Sequence, residues 1–444
     1  MLHQLHDSVE RARRRLGTTA LIGVLALAVR GAGAAEGGRE LTKAEQRVVR
    51  VLRATRSKPP PPVVESKKLV ARDAHAAIEL LLDMLDQRRV PAIDDLEVQR
   101  LSTAQEELAL GGLRVIGREG VMRALDVRLA SSNGPSVRAA AIEVYGVFGD
   151  ANDLTTIVGL AGGPQDDTLD ARIDEMLQQT LTNVLTSDAR AFDRLRAVSK
   201  ARSRDVISAI VFAVGAARDE RGLPFLAEIM TWREDLAVEA LSQIRLIGRS
   251  SSQDVDTELS HLARGWLDPN AATRCRAAIM ALGVLEDARA VPQMLDLLEH
   301  DSSGMHDDVF WALRHISGQD LPPSQAAWSN WYELEQSWYE DEMPAHAAAL
   351  DSDDELEIAA GIQALSQHRL YRHEIAEKLT PALEREQPEF RLLVCAALGD
   401  LGSNSAVHAL TDVLDDTDER VAEAARAALL KITGRDPRPA EQPH

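Results

Sequence analysis

The densest group of side chains suited to holding a metal ion is Glu299-His300-Asp301-Ser302-Ser303-Gly304-Met305-His306-Asp307-Asp308. Imidazoles and carboxylates are the donors that zinc takes, and His300, Asp301, His306 and Asp307 are the four that such an ion would use here. Their spacing matches no standard site, and aspartates in a loop also cap helices, so no metal and no cofactor is expected. No phosphate-binding glycine loop, H-E-x-x-H, cysteine pair at metal spacing or G-x-S-x-G is present. The expectation is a protein with no catalysis of its own.

Two other groups of residues could recognise a ligand without transforming it. Four of the six tryptophans, Trp311, Trp328, Trp331 and Trp338, fall close together with Phe310, Tyr332 and Tyr339. Trp328, Trp331 and Tyr332 share one helical face, and Trp338 and Tyr339 return to it. Such rings either pack an extra helix against the fold or form an exposed platform for a partner. Glu228, Asp296 and Asp412 occupy polar positions of amphipathic helices and either select a cationic partner or keep the surface soluble.

The elements that position these residues repeat. In 270–301, Cys275, Ala278, Ile279 and Leu282 make one apolar stripe at helical spacing, and Val291, Met294, Leu295 and Leu298 make a second. Gly283 is expected near the end of the first helix, Asp287 as the cap of the second, and Pro292 in its opening turn. The second stripe recurs as Leu223, Leu226, Ala227 and Met230, and again as Val407, Leu410 and Leu414. Gly117, Gly149, Gly215, Gly248, Gly283, Gly318, Gly399 and Gly434 recur with a step of about 34 residues, broken by two longer gaps. One helix pair cannot bury both its stripes, so pairs must stack. The predicted fold is all-α, an α-solenoid of about ten stacked helix pairs over 71–434, with an aromatic insertion at 319–343 and a solvated acidic connection at 340–357.

These residues resemble the HEAT-repeat superfamily, in particular the bacterial HEAT-like repeats named after the phycobilisome lyases. The stretches ALGVLEDARAVPQML, SVRAAAIEVYGVFGDAND and FRLLVCAALGDLGSNSAVHAL carry the likeness. The resemblance implies the fold and little about activity, since the scaffold hosts many functions. Metal-dependent hydroxylases of related build carry several His-Glu pairs, and this chain has the single pair His373-Glu374, which argues against that activity. The bilin-lyase branch is disfavoured by the export signal described next.

Residues 1–34 read as a signal peptide, with RARRR, an apolar run from Leu16 to Val29, and Ala32-Gly33-Ala34 as the cleavage site. Residues 35–70 hold a basic amphipathic helix, with Leu41, Val48, Val51 and Leu52 opposite Arg47, Arg50, Arg53 and Arg56, and then the spacer KPPPPVV. Residues 435–444 read as a frayed tail. The chain of 444 residues carries a net charge of −20, and its basic residues gather at the N-terminus, so nucleic acid is not an expected partner. The two cysteines, Cys275 and Cys395, fall on apolar stripes and are expected in the core.

The expected function is an exported, periplasmic or extracellular, interaction scaffold with a protein partner. Two alternatives remain open: an enzyme or enzyme subunit, lyase-like or metal-assisted, on the same scaffold, and a membrane-associated adaptor. The adaptor would touch the membrane peripherally through 41–56 or be anchored in the inner membrane by an uncleaved signal.

Overall fold

The computed structural model describes residues 117–131, 134–161, 171–200, 202–299 and 304–434, with isolated positions 43, 82, 110, 113, 114, 436 and 437. Apart from those positions, the signal sequence, the basic helix and spacer, the first pair after residue 71, His300, Asp301 and the tail lie outside the described residues. Among the described residues there are 19 α-helices and no strand. The chain divides into two compact units, one ending at Val206 and the other beginning at Ile207.

In the first unit, α1 (Arg118–Ser131) precedes the pair α2 (Pro135–Phe148) and α3 (Leu154–Ala161), followed by the pair α4 (Ala171–Ser187) and α5 (Ala191–Ser199). First helices pack on first helices, α2 on α4, and second on second, α3 on α5. The stretch that loses its terminal glycine in sequence is thus still a helix pair. The stack is pinned by a buried hydroxyl, with Thr180 Oγ1 donating to the Ile142 carbonyl at 2.9 Å.

The second unit continues the pattern with α6 (Arg204–Ala217), most of which lies in this unit, and α7 (Leu223–Trp232). It goes on through α8 (Ala237–Ile247), α9 (Gln253–Arg264), α10 (Ala272–Val284) and α11 (Val291–Leu297). Then α12 (His306–Ser317) is followed by a long helix, α13 (Gln325–Asp341), and a short one, α14 (Met343–Ala349). The pairs α15 (Glu355–Leu365) with α16 (Arg372–Leu379) and α17 (Pro388–Leu401) with α18 (Val407–Asp412) lead to α19 (Glu419–Thr433). Again first helices stack, α8 on α10, α10 on α12, α15 on α17 and α17 on α19, while α7 packs on α9. Helix pairs that each bury their stripes against the next are an α-solenoid. Both cysteines are fully buried on α10 and α17, as their stripes require, and burial pushes the Cys275 thiol up to about 11.

Three local expectations are corrected. The recurring glycine is two different residues. Gly248, Gly318 and Gly434 do end first helices with φ between +68° and +92°, a region open to glycine. Gly215, Gly283 and Gly399 also stand near the ends of first helices, as expected, but within the last turns of α6, α10 and α17, where their part is to let the next first helix come too close for a side chain. A Cβ on Gly283 would sit 2.6 Å from the Trp311 ring and 3.0 Å from the Ala312 Cα. Gly283→Ala is therefore expected to cost about 1–3 kcal/mol by overpacking, although alanine is the better helix former. Urea unfolding checks this, and a variant as stable as the wild type would remove the close-packing role.

Asp287 makes no capping hydrogen bond to the second helix. Its carboxylate is instead engaged by Arg264 in a nearly buried ion pair. Asp219 and Ser403, at the corresponding place before α7 and α18, do cap the 3₁₀ turns that open those helices. Pro292 stands in the first turn of α11, where a missing N–H costs nothing. The acidic stretch after residue 340 is not simply a solvated connection: α13 runs to Asp341, Met343–Ala349 is helical, and Asp354 caps α15 by accepting from the Leu356 N–H at 2.8 Å.

Candidate functional site

The aromatic insertion forms α13, and its rings divide between interior and rim. Trp328 is 0% exposed and meets Trp331 edge-on at 5.6 Å between ring centres. Trp338 is buried too, stacked on His368 at 3.4 Å with the planes 8° apart. The His368 Nδ1 lies 3.0 Å from the carboxylate of Glu335, itself buried one turn earlier on α13. Tyr339 stacks on Tyr371 at 4.1 Å, so α13 is fastened to the turn between α15 and α16. Trp331 and Tyr332 are half-buried, and burial pushes the Tyr332 phenol up.

The carboxylates named from sequence lie on second helices. Glu228 on α7 is half-buried, while Asp296 on α11 and Asp412 on α18 are exposed. Between α9 and α11 an open cleft of about 410 Å³ is lined by His261, Leu262, Arg264, Gly265 and Gln293. Of the metal candidates, His300 and Asp301 lie outside the described residues. His306 and Asp307 open α12, where the imidazole Nε2 is buried without a partner in the protein and Asp307 is exposed. Nearby Asp308 pairs with Arg276 at 3.2 Å. Among the described residues no group of three or more His, Cys, Asp or Glu is arranged to hold a metal ion.

A site the sequence did not suggest sits where the intra-repeat turns of the second unit converge. Each turn follows a first helix: Gly248-Arg249 after α8, Glu286 after α10, Ile316 to Gly318 at the end of α12, Arg369 to His373 after α15, and Gly402 to Asn404 after α17. Glu286 is the centre. Its carboxylate accepts from Arg249 at 2.9 Å, from Arg369 at 3.2 Å and from the fully buried Arg372. Arg372 also donates to the Ile316 carbonyl. Arg249 reaches the Gly402 carbonyl at 2.8 Å and the Asn404 Oδ1 at 2.9 Å, residues more than 150 positions away. Asn404 in turn donates to Asp256 at 2.8 Å, and Asp256 accepts from the Ser250 N–H at 2.8 Å. His373 closes the group, with Nδ1 2.8 Å from Ser403 Oγ and Nε2 3.3 Å from Gln253.

The electrostatics follow from three guanidiniums crowding two carboxylates out of water. Burial pulls Arg372 down to about 9, and nearby Arg249 adds to it. Burial pushes Asp256 up to about 6, against the opposing pull of the Ser250 N–H and Arg249. His373 is pulled down to about 4, by burial first and then by Arg372, Arg249 and Arg289. Glu286 adopts φ +53°, a left-handed backbone that an L residue enters at a cost of about 1–2 kcal/mol. Strain of this kind persists only where the surroundings impose it, and here three arginines do.

Acid dependence separates the two titrating groups. His373, with its folded value depressed, contributes stability that is present above 6.5 and is lost as pH falls through about 4. Asp256, with its folded value raised, contributes stability that is full below 3.8 and is lost as pH rises through about 6. From pH ~7 to ~5 the two oppose each other by about 1–2 kcal/mol each. The wild type should therefore change little, His373→Gln should gain stability on acidification, and Asp256→Asn should lose it. Urea midpoints at the two pH values check the signs; parallel shifts in both variants would contradict the assignment.

Family models match two parts of the chain, HEAT repeats over residues 343–430 and the PBS lyase HEAT-like repeat over residues 275–300. Among solved structures the chain is similar to Kap95p in its complex with RanGDP, at 15% identity, 88% of this chain, 55% of that chain and a TM-score of 0.40. It is also similar to a chain from a study of the cadherin and β-catenin interaction, at 14% identity, 93% of this chain, 96% of that chain and a TM-score of 0.31. The chain thus spans little more than half the length of Kap95p. Among curated proteins, none matches it.

Proposed function

From the premise that this chain is built of HEAT repeats, we propose that it is a non-catalytic scaffold that holds a protein partner, exported to the bacterial cell envelope. The observation that carries the reading is the second-helix face of the second unit. There α9 and α11 leave an open cleft between them, and the surrounding helices present carboxylates to solvent, Asp254 on α9 and Asp296 on α11. A cleft lined by helix sides suits an extended or helical segment of another protein; the one arginine in its lining, Arg264, is held by Asp287, and the exposed carboxylates elsewhere on α9 and α11 favour a basic segment. What supports the envelope location is the sequence of residues 1–34, which reads as an export signal.

The test is a crosslinking pull-down from the envelope fraction. Wild type is compared with a variant carrying Asp254→Lys, Asp296→Lys and Asp412→Lys, whose helix content is confirmed by circular dichroism. Loss of a defined partner from the folded variant is expected. An unchanged partner set would remove the acidic face as the binding surface. Recovery of the protein from the cytoplasm with residues 1–34 intact would remove the envelope part of the proposal.

A further inference from the structure

The converging turns of the second unit hold more positive than negative charge in a place largely closed to water. Arg249, Arg369 and Arg372 face Glu286 and Asp256, and Asp400, which also acts on Arg369, is paired with Lys431 at 2.8 Å, so one guanidinium has no carboxylate of its own, in a chain whose net charge is −20. The hydrogen bonds are also incomplete. The Nε atoms of Arg249 and Arg369 are both buried with no acceptor in the protein. The Asp256 carboxylate lies 3.7 Å from Arg249 Nε, beyond hydrogen-bonding range. Arg369 is the outermost of the three, with 30% of its side chain exposed. It is flanked by two glycines in the left-handed region. A Cβ on Gly318 would lie 3.0 Å from its Nη1, and a Cβ on Gly402 would lie 3.5 Å from its Nη2, so the backbone of both turns packs close beside the guanidinium where a side chain would crowd it. A further cation, Arg289, stands exposed at the rim within electrostatic reach of His373.

Surplus donors and surplus charge in one part-buried place are what an oxyanion satisfies. We propose that the turns of the second unit form a binding site for a small oxyanion, phosphate or carboxylate, which accepts hydrogen bonds from Arg369 and Arg249 and balances the charge of the cluster. The site is independent of the acidic second-helix face and would remain if that face proved to bind nothing. Because its arginines come from turns far apart in sequence, occupancy also ties those turns together and raises the stability of the second unit.

The experiment is isothermal titration of the full chain at constant ionic strength, with inorganic phosphate in one arm and acetate in the other, and thermal unfolding in parallel. Saturable binding of one ion per chain in either arm, with a rise in Tm, is expected. The arm that binds shows whether the ligand is tetrahedral or planar. Arg369→Gln should weaken binding about tenfold or more, the loss of one charge-assisted contact. Arg289→Gln should weaken it severalfold, and more at low salt. If Arg369→Gln does not fold, Arg369→Lys replaces it, since it keeps the charge, loses the planar fork, and should still bind more weakly than wild type. Two results overturn the proposal: no saturable binding of either ion by the wild type, or binding that the Arg369 variant leaves unchanged, which would mean an adventitious ion only.

Discussion

Glu286→Gln is expected to destabilise the second unit by about 3 kcal/mol, because it leaves three guanidiniums clustered without their shared carboxylate. The figure sits at the low end for a broken buried pair because Glu286 keeps 20% of its side chain exposed, although Arg372 keeps only 1%. A second substitution separates charge from backbone. Glu286→Gly removes the same carboxylate but relieves the left-handed strain at φ +53°, so it should be the milder change by about 1 kcal/mol. All six tryptophans lie at or beyond Trp232, so fluorescence-detected urea unfolding reports this unit alone. If both variants unfold with the wild type, Glu286 is not the centre of the group and the arginines are held by the packed turns themselves.

The stripes that define the helices were readable because they depend on residues three and four apart. Cys275, Ala278, Ile279 and Leu282 face inward on α10 as their spacing requires, and Val291, Met294 and Leu295 do the same on α11. The glycines were harder, since a residue without a side chain serves equally to end a helix or to let two helices touch. Gly283 and Gly318 share a period but not a role, and the left-handed φ of Gly318 and the close approach of Trp311 to Gly283 distinguish them. The convergence of the turns was not readable. Arg249 and Asn404 meet because successive repeats curve within the second unit, and curvature accumulates from small rotations that no local pattern encodes. A faint signal did exist: polar side chains follow the first helix at corresponding places in several repeats, as in Gly248-Arg249, Glu286-Asp287 and Gly402-Ser403-Asn404. Such residues also occur in any exposed turn, so their burial had to be seen.

Trp328→Ala is expected to cost about 3–5 kcal/mol, the usual loss when a fully buried tryptophan is emptied from a core. Trp328→Phe should cost less, since a ring still fills the space and the buried indole N–H has no partner to lose. Leu334 on the same helix is 63% exposed, and Leu334→Ser should change stability by no more than about 0.5 kcal/mol. Thermal unfolding of the three variants checks the order, and an unaffected Trp328→Ala protein would mean that α13 is not packed as described. The contrast bears on how this helix can be tested for recognition. A substitution at Trp328 or Trp338 removes packing, so any partner lost with it is lost through unfolding. Tyr332 and Leu334 lie at the rim of α13, where a side chain can be changed while the stack beneath it stays intact. A partner that depends on those two positions, in a variant with wild-type unfolding, would make α13 a recognition element; indifference to them would leave it as the wedge that fastens α11 to the turn between α15 and α16.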